Sequence, residues 1–576
     1  MASTRLTRRM LLKRAAVGGG AAVSATVLAK ILAGEQSGPV RAPGPGRGEG
    51  PPNILLVIVD QMRSWQHLQA QALAEGLMPN LSTLRRAGVS FEGHYTAAND
   101  CSPARSTLVT GLYSHQTGCL VTGGSTLSPL FPTYGTMLRE QGYATAWFGK
   151  WHLTSHDNKW TPSGDAHALE PYGFSGGTYP SPDGQPGEGW RVDPLIAEQF
   201  AAWYATAPAS RPWCATVSFV NPHDIAWWYR WSDQVAAEAS APERVRQLPV
   251  NFETPAELIA RGKPLLQLSL QQTAASGFGA VPFAGSAAVA RWSSFMNLYL
   301  KLLGQVDRGI GSVMATLRSR PHLASNTIVV FTSDHGEYGG SHGLRGKGAA
   351  VYEEGIKVPL IVADLRKKLN AAPAIGRAGL TSSVDLAPLL LTLATGTDSW
   401  RGDTHYAHIA GRHDLARMLS DPAAAGRSAV LHATDEILSE FAIEPYAIGA
   451  PLHVVAIRSA AAKYALYSHW SPATDAIQSA GQERELYAYS SGRGVLELES
   501  TAGASDLEAS LSEQLGHAIR DELHAPLPSR LREAQRDGYA DYRVTARETA
   551  LVAAKLRRKL ERDEPPSRAV ETLGSQ

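Results

Sequence analysis

Cysteine is scarce in this chain, with Cys101, Cys119 and Cys214 the only three among 576 residues. That excludes a disulfide framework, leaves one bridge open between Cys119 and Cys214, and strands at least one thiol in any pairing. Net charge is lacking too. Lys and Arg total 54 against 53 for Asp and Glu, a formal charge of +1, so no global field draws the protein to nucleic acid or an anionic membrane, and any anion recognition must be local. The chain also lacks an apolar run suited to a stable membrane anchor. The best stretch, Ala15 to Leu32, is diluted by Gly18 to Gly20 and broken by Lys30. What is present is an ordinary globular composition, 44% hydrophobic, over a length that accommodates one large α/β core and a smaller domain.

Thr7-Arg8-Arg9-Met10-Leu11-Leu12-Lys13 followed by that weakly apolar stretch resembles a twin-arginine export signal. Residues 1–33 are read as the signal and the Gly- and Pro-rich residues 34–52 as a flexible linker. The expected partner is the twin-arginine machinery, and the expected destination is the periplasm or the medium.

Four apolar runs then end in ionisable groups. Ile54 to Val59 leads into Asp60-Gln61, and Ala144 to Phe148 into Gly149-Lys150-Trp151-His152. Ala215 to Val220 leads into Asn221-Pro222-His223-Asp224, and Thr327 to Phe331 into Thr332-Ser333-Asp334-His335-Gly336. Continuous β-branched runs of this kind suit buried strands of a parallel sheet, whose carboxyl ends form ligand crevices. Helical signals lie between them, at Pro79 to Ala87, Thr136 to Gln141, Trp292 to Leu317 and from Val384. The alternation predicts a large doubly wound, mostly parallel α/β sheet flanked by helices over residues 53–425. Residues 232–290 lack sustained periodicity and are expected to form surface excursions. Beyond them, short strand-like runs near His453, Lys463 and Glu485, with a helix near Ala504 to Leu523, predict a small antiparallel-sheet domain over 426–542. Residues 543–576 read as a charged helical tail.

The stretch Cys101-Ser102-Pro103-Ala104-Arg105-Ser106-Thr107-Leu108-Val109-Thr110-Gly111 places a thiol at the start of a short predicted helix, with Gly111 as its stop. A helix N-terminus favours anions and lowers a thiol's pKa. This run, C-S-P-A-R followed by S-T-L-x-T-G, resembles the signature of the type I sulfatases of the alkaline phosphatase superfamily. In that family the cysteine is oxidised to formylglycine, and one hydroxyl of the aldehyde hydrate attacks the sulfate ester. The sulfated hemiacetal then collapses back to the aldehyde.

The resemblance implies a sulfuric ester hydrolase acting on a small organic sulfate monoester, with a formylglycine-generating enzyme as a further partner. It implies one divalent ion, Ca²⁺ by family frequency, held by Asp60, Gln61, Asp334, His335 and modified Cys101. Many sulfatases carry Asp-Asp and Asp-Asn where this chain has Asp60-Gln61 and Asp334-His335. The pattern here is similar to choline sulfatases and phosphonate monoester hydrolases, and its imidazole shifts preference toward Mn²⁺. Carried over residue by residue, Arg105 holds the hydrate, Lys150 contacts sulfate and nucleophile, and His152 assists collapse of the hemiacetal. His223 and Lys347 contact sulfate and protonate the leaving oxygen, with Arg345 and His342 as neighbours of Lys347 that suit the same role. Two alternatives accompany this reading: a phosphonate monoester or phosphodiester hydrolase on the same fold, and an exported binding protein without catalysis. The aromatic cluster Trp227-Trp228-Tyr229-Trp231 is read as a packed patch, with a wall for the substrate's organic group as the sharper alternative.

Overall fold

The run from Ile54 to Val59 becomes β1 (Asn53–Asp60), buried along its whole length because side chains on its two faces enter two different cores. Leu55, Val57 and Val59 join one apolar cluster, and Ile54, Leu56 and Ile58 join the other, the division that alternation along a strand covered on both faces demands. The computed structural model describes residues 50–563, apart from 69–75, 155–164, 178–180, 232–242, 370–371, 374, 436–447, 472–475 and 504. The expected export signal and nearly all of the expected linker lie outside the described residues.

The other strands of the large sheet are β2 (Val89–Tyr95), β3 (Ala144–Gly149), β4 (Trp213–Pro222), β5 (Thr327–Ser333), β6 (Leu360–Asp364) and β7 (Arg377–Ser382). Their order is β3-β4-β1-β5-β6-β2-β7. The pairs β3/β4, β4/β1, β1/β5 and β2/β7 are parallel, while β6 runs antiparallel to both neighbours. The four strands whose ends carry charge are therefore adjacent, and their carboxyl ends share one edge.

Helices cover both faces. One cluster takes apolar side chains from α1 (Pro79–Ala87), α3 (Glu188–Thr206) and α5 (Gly285–Arg318). The opposite cluster takes them from α2 (Cys101–Thr110) and α6 (Leu386–Thr395). Gly111 ends α2 with a left-handed φ of 71°, as a stop at that position requires. Cys119 and Cys214 are both free and buried, so the bridge left open by the sequence does not form.

Residues 243–290, the described part of the segment expected to form surface excursions, depart from that expectation. They include a helix at Pro255–Ala260 and α4 (Leu265–Phe278). Leu266 packs with Ala349, Val351, Val454, Ala456 and Ala465. This segment packs between the second sheet and the loop after β5; its apolar stripe is masked in sequence by Gln267, Ser269 and Gln271, which are buried and polar.

The second sheet, β8 (Ala429–Thr434), β9 (His453–Ser459), β10 (Ala462–Ser468) and β11 (Glu483–Ala488), is antiparallel in the order β11-β10-β9-β8. One face packs Leu431, Val455, Ile457 and Tyr464 on Leu511 and Leu515 of α7 (Asp506–Ala518). The last helix, α8 (Ser529–Asp563), begins before residue 543 and runs through it without a break. Its Gly538 meets Gly118 backbone to backbone: a Cβ on Gly538 would lie 2.9 Å from the Gly118 Cα. None of the described helices is long and apolar enough to cross a membrane.

Candidate active site

The charged strand ends converge on Cys101, the first residue of α2, which is fully buried. Asp60 ends β1, and its Oδ2 lies 2.9 Å from Arg105 Nη2 and 2.9 Å from Lys150 Nζ. Its Oδ1 lies 3.8 Å from Cys101 Sγ and 3.7 Å from His335 Nε2. A carboxylate taken out of water is raised by burial, but Lys150, His223, Lys347 and Arg105 together hold Asp60 well below the usual carboxylate range. Asp334, just past β5, is instead raised by burial and by the charge of Asp60.

Cys101 Sγ stands where the oxygens of an aldehyde hydrate would lie if residue 101 were converted to formylglycine. Lys347 Nζ approaches Sγ to 2.8 Å, His335 Nε2 to 3.4 Å and Lys150 Nζ to 3.6 Å. Burial and Asp60 push the thiol up, and Lys150, Lys347 and His335 outweigh them, leaving Cys101 well below the ordinary thiol value. Cys214, buried without such neighbours, is pushed up. The contrast marks Cys101 as the reactive cysteine.

Arg105, one turn along α2, directs its guanidinium elsewhere. It reaches Asp60 Oδ2, Asp334 Oδ2 at 3.0 Å, Ser218 Oγ at 3.0 Å and the Lys150 carbonyl at 2.7 Å. It thus clamps the two carboxylates and ties together four strands, β1, β3, β4 and β5. The Asp334 Oδ2 contact is an ion pair without a well-aligned hydrogen bond, so this buried oxygen keeps open capacity.

Gln61 sits at a positive φ of 68°, a conformation costly for a residue with a Cβ and held here by its contacts. Its N–H donates to Asp334 Oδ1 at 3.1 Å and its carbonyl accepts from Tyr299 Oη at 2.9 Å. The side-chain Nε2 donates to Glu337 Oε2 at 2.5 Å, which turns Oε1 toward Lys347 Nζ at 3.1 Å. Glu337 also accepts from the Gly339 and Gly346 N–H groups at 3.0 and 2.7 Å. One buried carboxylate therefore orients Gln61 and the loop carrying Lys347. Glu337 was missed in sequence although it lies two residues from His335.

The donor set suits a divalent cation. Asp60, Cys101, Asp334 and His335 each bring a ligand atom within 4.8 Å of the others, and Gln61 Oε1 lies 3.1 Å from the Lys347 Nζ that also reaches Cys101 Sγ. His335 Nδ1 lies 3.0 Å from the Gly336 carbonyl, which fixes the proton on Nδ1 and frees Nε2 as a ligand. With the open Asp334 Oδ2, the residues present fit a metal ion bound by oxygens and one imidazole.

His223, in the turn after β4, is buried; burial, Lys150 and Lys347 push its imidazole down to about 3. Lys347 is pushed up, since Cys101 and Asp60 outweigh its burial, and so stays cationic. His152 is half-buried with a positive φ of 58° and its Nδ1 lacks a hydrogen-bond partner. Its carbonyl accepts from Ser102 Oγ at 2.7 Å, which ties it to the residue next to Cys101. Arg345 and His342 point away: Arg345 caps the Ala274, Gly279 and Trp228 carbonyls, and His342 pairs with Glu253 and Asn251. Of the three, Lys347 alone reaches Cys101. In the aromatic cluster, Trp228 is core, 1% exposed and packed on Phe295. Trp227 is half-buried, with its indole N–H on the Gly184 carbonyl at 2.6 Å.

A buried helix-borne cysteine beneath two lysines, beside paired carboxylates at the carboxyl ends of a mostly parallel sheet, suits binding of a tetrahedral oxyanion in an alkaline phosphatase-like α/β fold. The comparisons narrow the class. A profile described as Sulfatase matches residues 52–397, more than half of the chain, and the chain belongs to the sulfatase family. The uncharacterised sulfatase YidJ of Escherichia coli K12 is 26% identical over 382 residues, covering 60% of this chain and 68% of that protein. Choline-sulfatase of Rhizobium meliloti 1021 is 27% identical over 386 residues, with the same 60% and 68% covered. The solved phosphonate monoester hydrolase SpPMH of Silicibacter pomeroyi shares the fold with a TM-score of 0.60 at 23% identity, covering 82% of this chain and 96% of that one.

Proposed function

We propose that the protein hydrolyses a small organic sulfate monoester to an alcohol and inorganic sulfate, with residue 101 as formylglycine and one divalent ion in the site. The observation that carries this reading is the convergence of Lys347 and Lys150 on Cys101 Sγ, at 2.8 and 3.6 Å, over the Asp60–Asp334–His335 ligand set. Formylglycine would supply, as its hydrate, the attacking hydroxyl and the second hydroxyl whose ionisation later releases sulfate. Asp60, Gln61, Asp334 and His335 would hold the ion, Ca²⁺ or Mn²⁺, which supplies positive charge opposite the bound anion.

The chain's own groups have separable tasks. Lys150 and Lys347 bind the sulfate oxygens and balance charge that builds on them. Arg105 keeps Asp60 and Asp334 apart and oriented. His223 hydrogen-bonds the departing oxygen. Burial lowers its pKa most and the charges of Lys150 and Lys347 lower it further; a bound anionic ester opposes those two charges, so substrate binding raises the imidazole toward a useful acid. His152, with its unpartnered Nδ1, accepts the proton when the hemiacetal collapses.

A second reading, phosphonate monoester or phosphodiester hydrolysis, is favoured by the Gln61 and His335 positions, where a carboxamide and an imidazole replace carboxylate and carboxamide groups. Export through the twin-arginine machinery, with prior action of a formylglycine-generating enzyme, belongs to the same proposal and rests on residues 1–33. The test is mass spectrometry of the peptide spanning Cys101 from the native host, together with kcat/KM for matched aryl sulfate and phosphonate monoesters. An unmodified cysteine in active protein would remove the formylglycine mechanism, and a large phosphonate excess would reverse the substrate assignment.

A further inference from the structure

His223 has an unusual support. A working histidine is commonly oriented by a hydrogen bond from its second nitrogen, yet His223 Nδ1 is buried with no hydrogen-bond partner. The ring is held by steric contact instead. Gly184, at φ 94°, lies so close that a Cβ on it would fall 2.6 Å from His223 Nδ1 and 2.7 Å from Cε1. Whatever fixes Gly184 therefore fixes the imidazole.

Glu188 does so. It is the first residue of α3 and is 7% exposed. A single oxygen, Oε2, accepts from the N–H groups of Asp183, Gly184 and Gln185 at 3.1, 2.6 and 2.9 Å. Three converging amide donors on one buried carboxylate oxygen make a stiff turn, since each bond is charge-assisted and screened little by water. Trp227 clamps the same turn from the other side through its bond to the Gly184 carbonyl. The start of α3 is tied to the His223 loop as well, because Asp224 accepts from the Gly189 and Trp190 N–H groups at 3.1 and 2.8 Å.

We infer that Glu188 is a positioning residue, acting through Gly184 to hold the His223 imidazole against the leaving-group side of the site. The catalytic consequence rests on the role given to His223 above. An imidazole displaced by about 1 Å costs on the order of a hundredfold in rate, most for esters whose leaving alcohol is a poor one. Glu188→Gln keeps an acceptor for the turn and retains most of the effect, whereas Glu188→Ala does not.

The test is a double-mutant cycle in kcat on an alkyl sulfate and on nitrophenyl sulfate, using the full modified protein. Glu188→Ala lowers kcat for the alkyl ester by about 10- to 100-fold and for nitrophenyl sulfate by less, with KM little changed. In a His223→Asn background the same substitution has an effect below about twofold, because its route is already cut. Additive losses in the two backgrounds overturn the inference. Gly184→Ala, which pushes directly on the ring, is the second variant and must show the same coupling to His223. An activity-independent reading accompanies the cycle: imidazole ¹⁵N resonances of His223 shift or broaden in Glu188→Ala while those of His94 and His432 stay in place. Unmoved His223 resonances sink the positioning role even where the wild type turns over no ester; inactivity of a wild type with residue 101 converted sinks the functional reading instead.

Discussion

Arg105→Met isolates the charge balance of the site. The guanidinium is buried and meets Asp60 Oδ2, Asp334 Oδ2, Ser218 Oγ and the Lys150 carbonyl. Asp60 keeps Lys150 at 2.9 Å after the substitution. Among the described residues Asp334 Oδ2 is left without an ion pair or hydrogen bond, since only Arg105 meets that oxygen. The loss is that of breaking a buried pair on one side, about 3–5 kcal/mol. Protonation of Asp334 limits it: the carboxyl is already raised by burial and Asp60, and losing Arg105 raises it further. A carboxylate whose folded pKa lies above its unfolded one destabilises at high pH, so the deficit is full near neutrality and shrinks as pH falls toward the ordinary Asp value. A divalent ion acts in the opposite sense. At about one hundred times its Kd it contributes about 2.7 kcal/mol to the wild type, and more to the variant, where one competing cation is gone. Urea unfolding at neutral pH, with chelator and then with Mn²⁺ or Ca²⁺, measures both quantities. A chelated deficit under about 1 kcal/mol, or a metal gain no larger than in the wild type, would refute the charge-balance reasoning.

Other substitutions address separate links. Glu337→Gln leaves one carbonyl oxygen for donors that now use two, so either Gln61 Nε2 or the Gly339 and Gly346 N–H groups meet an amide NH2 in place of an acceptor; metal affinity measured by titration is expected to fall about 10- to 100-fold, with unchanged affinity counting against its orienting role. His94 is buried and held near 4, below its unfolded value of 6.5, chiefly by burial. Its contribution is present above about pH 6.5 and is lost as pH falls toward 4, so His94→Gln flattens the stability profile in that window by roughly 1.4 kcal/mol per pH unit relative to wild type; parallel profiles would count against a neutral buried ring. Gly538→Val forces a side chain into Gly118, where even a Cβ would lie 2.9 Å from the opposing Cα. The expected cost is about 1–3 kcal/mol, read as faster proteolysis within α8, and equal protease resistance would mean the helix is docked by other contacts.

Much of the catalytic lobe was legible because its strands are buried on both faces. Such strands are written as continuous apolar runs, and the residues just past each run lie at the crevice; Asp60, Lys150, His223 and Asp334 stand one to three positions beyond their runs, and their roles came from the family resemblance. The segment 255–278 was not legible, because Gln267 and Gln271 are buried by hydrogen bonds to Tyr467, Glu485, Glu253 and His342 that no local pattern announces. Lys347 was distinguished from Arg345 and His342 only by where the loop turns.

The sequence by itself determined which groups reach the carboxyl edge of the sheet, because period and polarity act locally. It also determined where the helix that starts at Cys101 ends, since Gly111 must stop it. Only the tertiary structure decided how the charges pair. Arg105 lies four residues from Cys101, yet its donors go to carboxylates 45 and 229 residues away. Gln61 faces the site because Glu337 takes its amide nitrogen, and His223 is aimed by a glycine that Glu188 holds. Charge balance and side-chain orientation in a buried site depend on distances between strands that are remote in the chain, and these exist only once the sheet has formed.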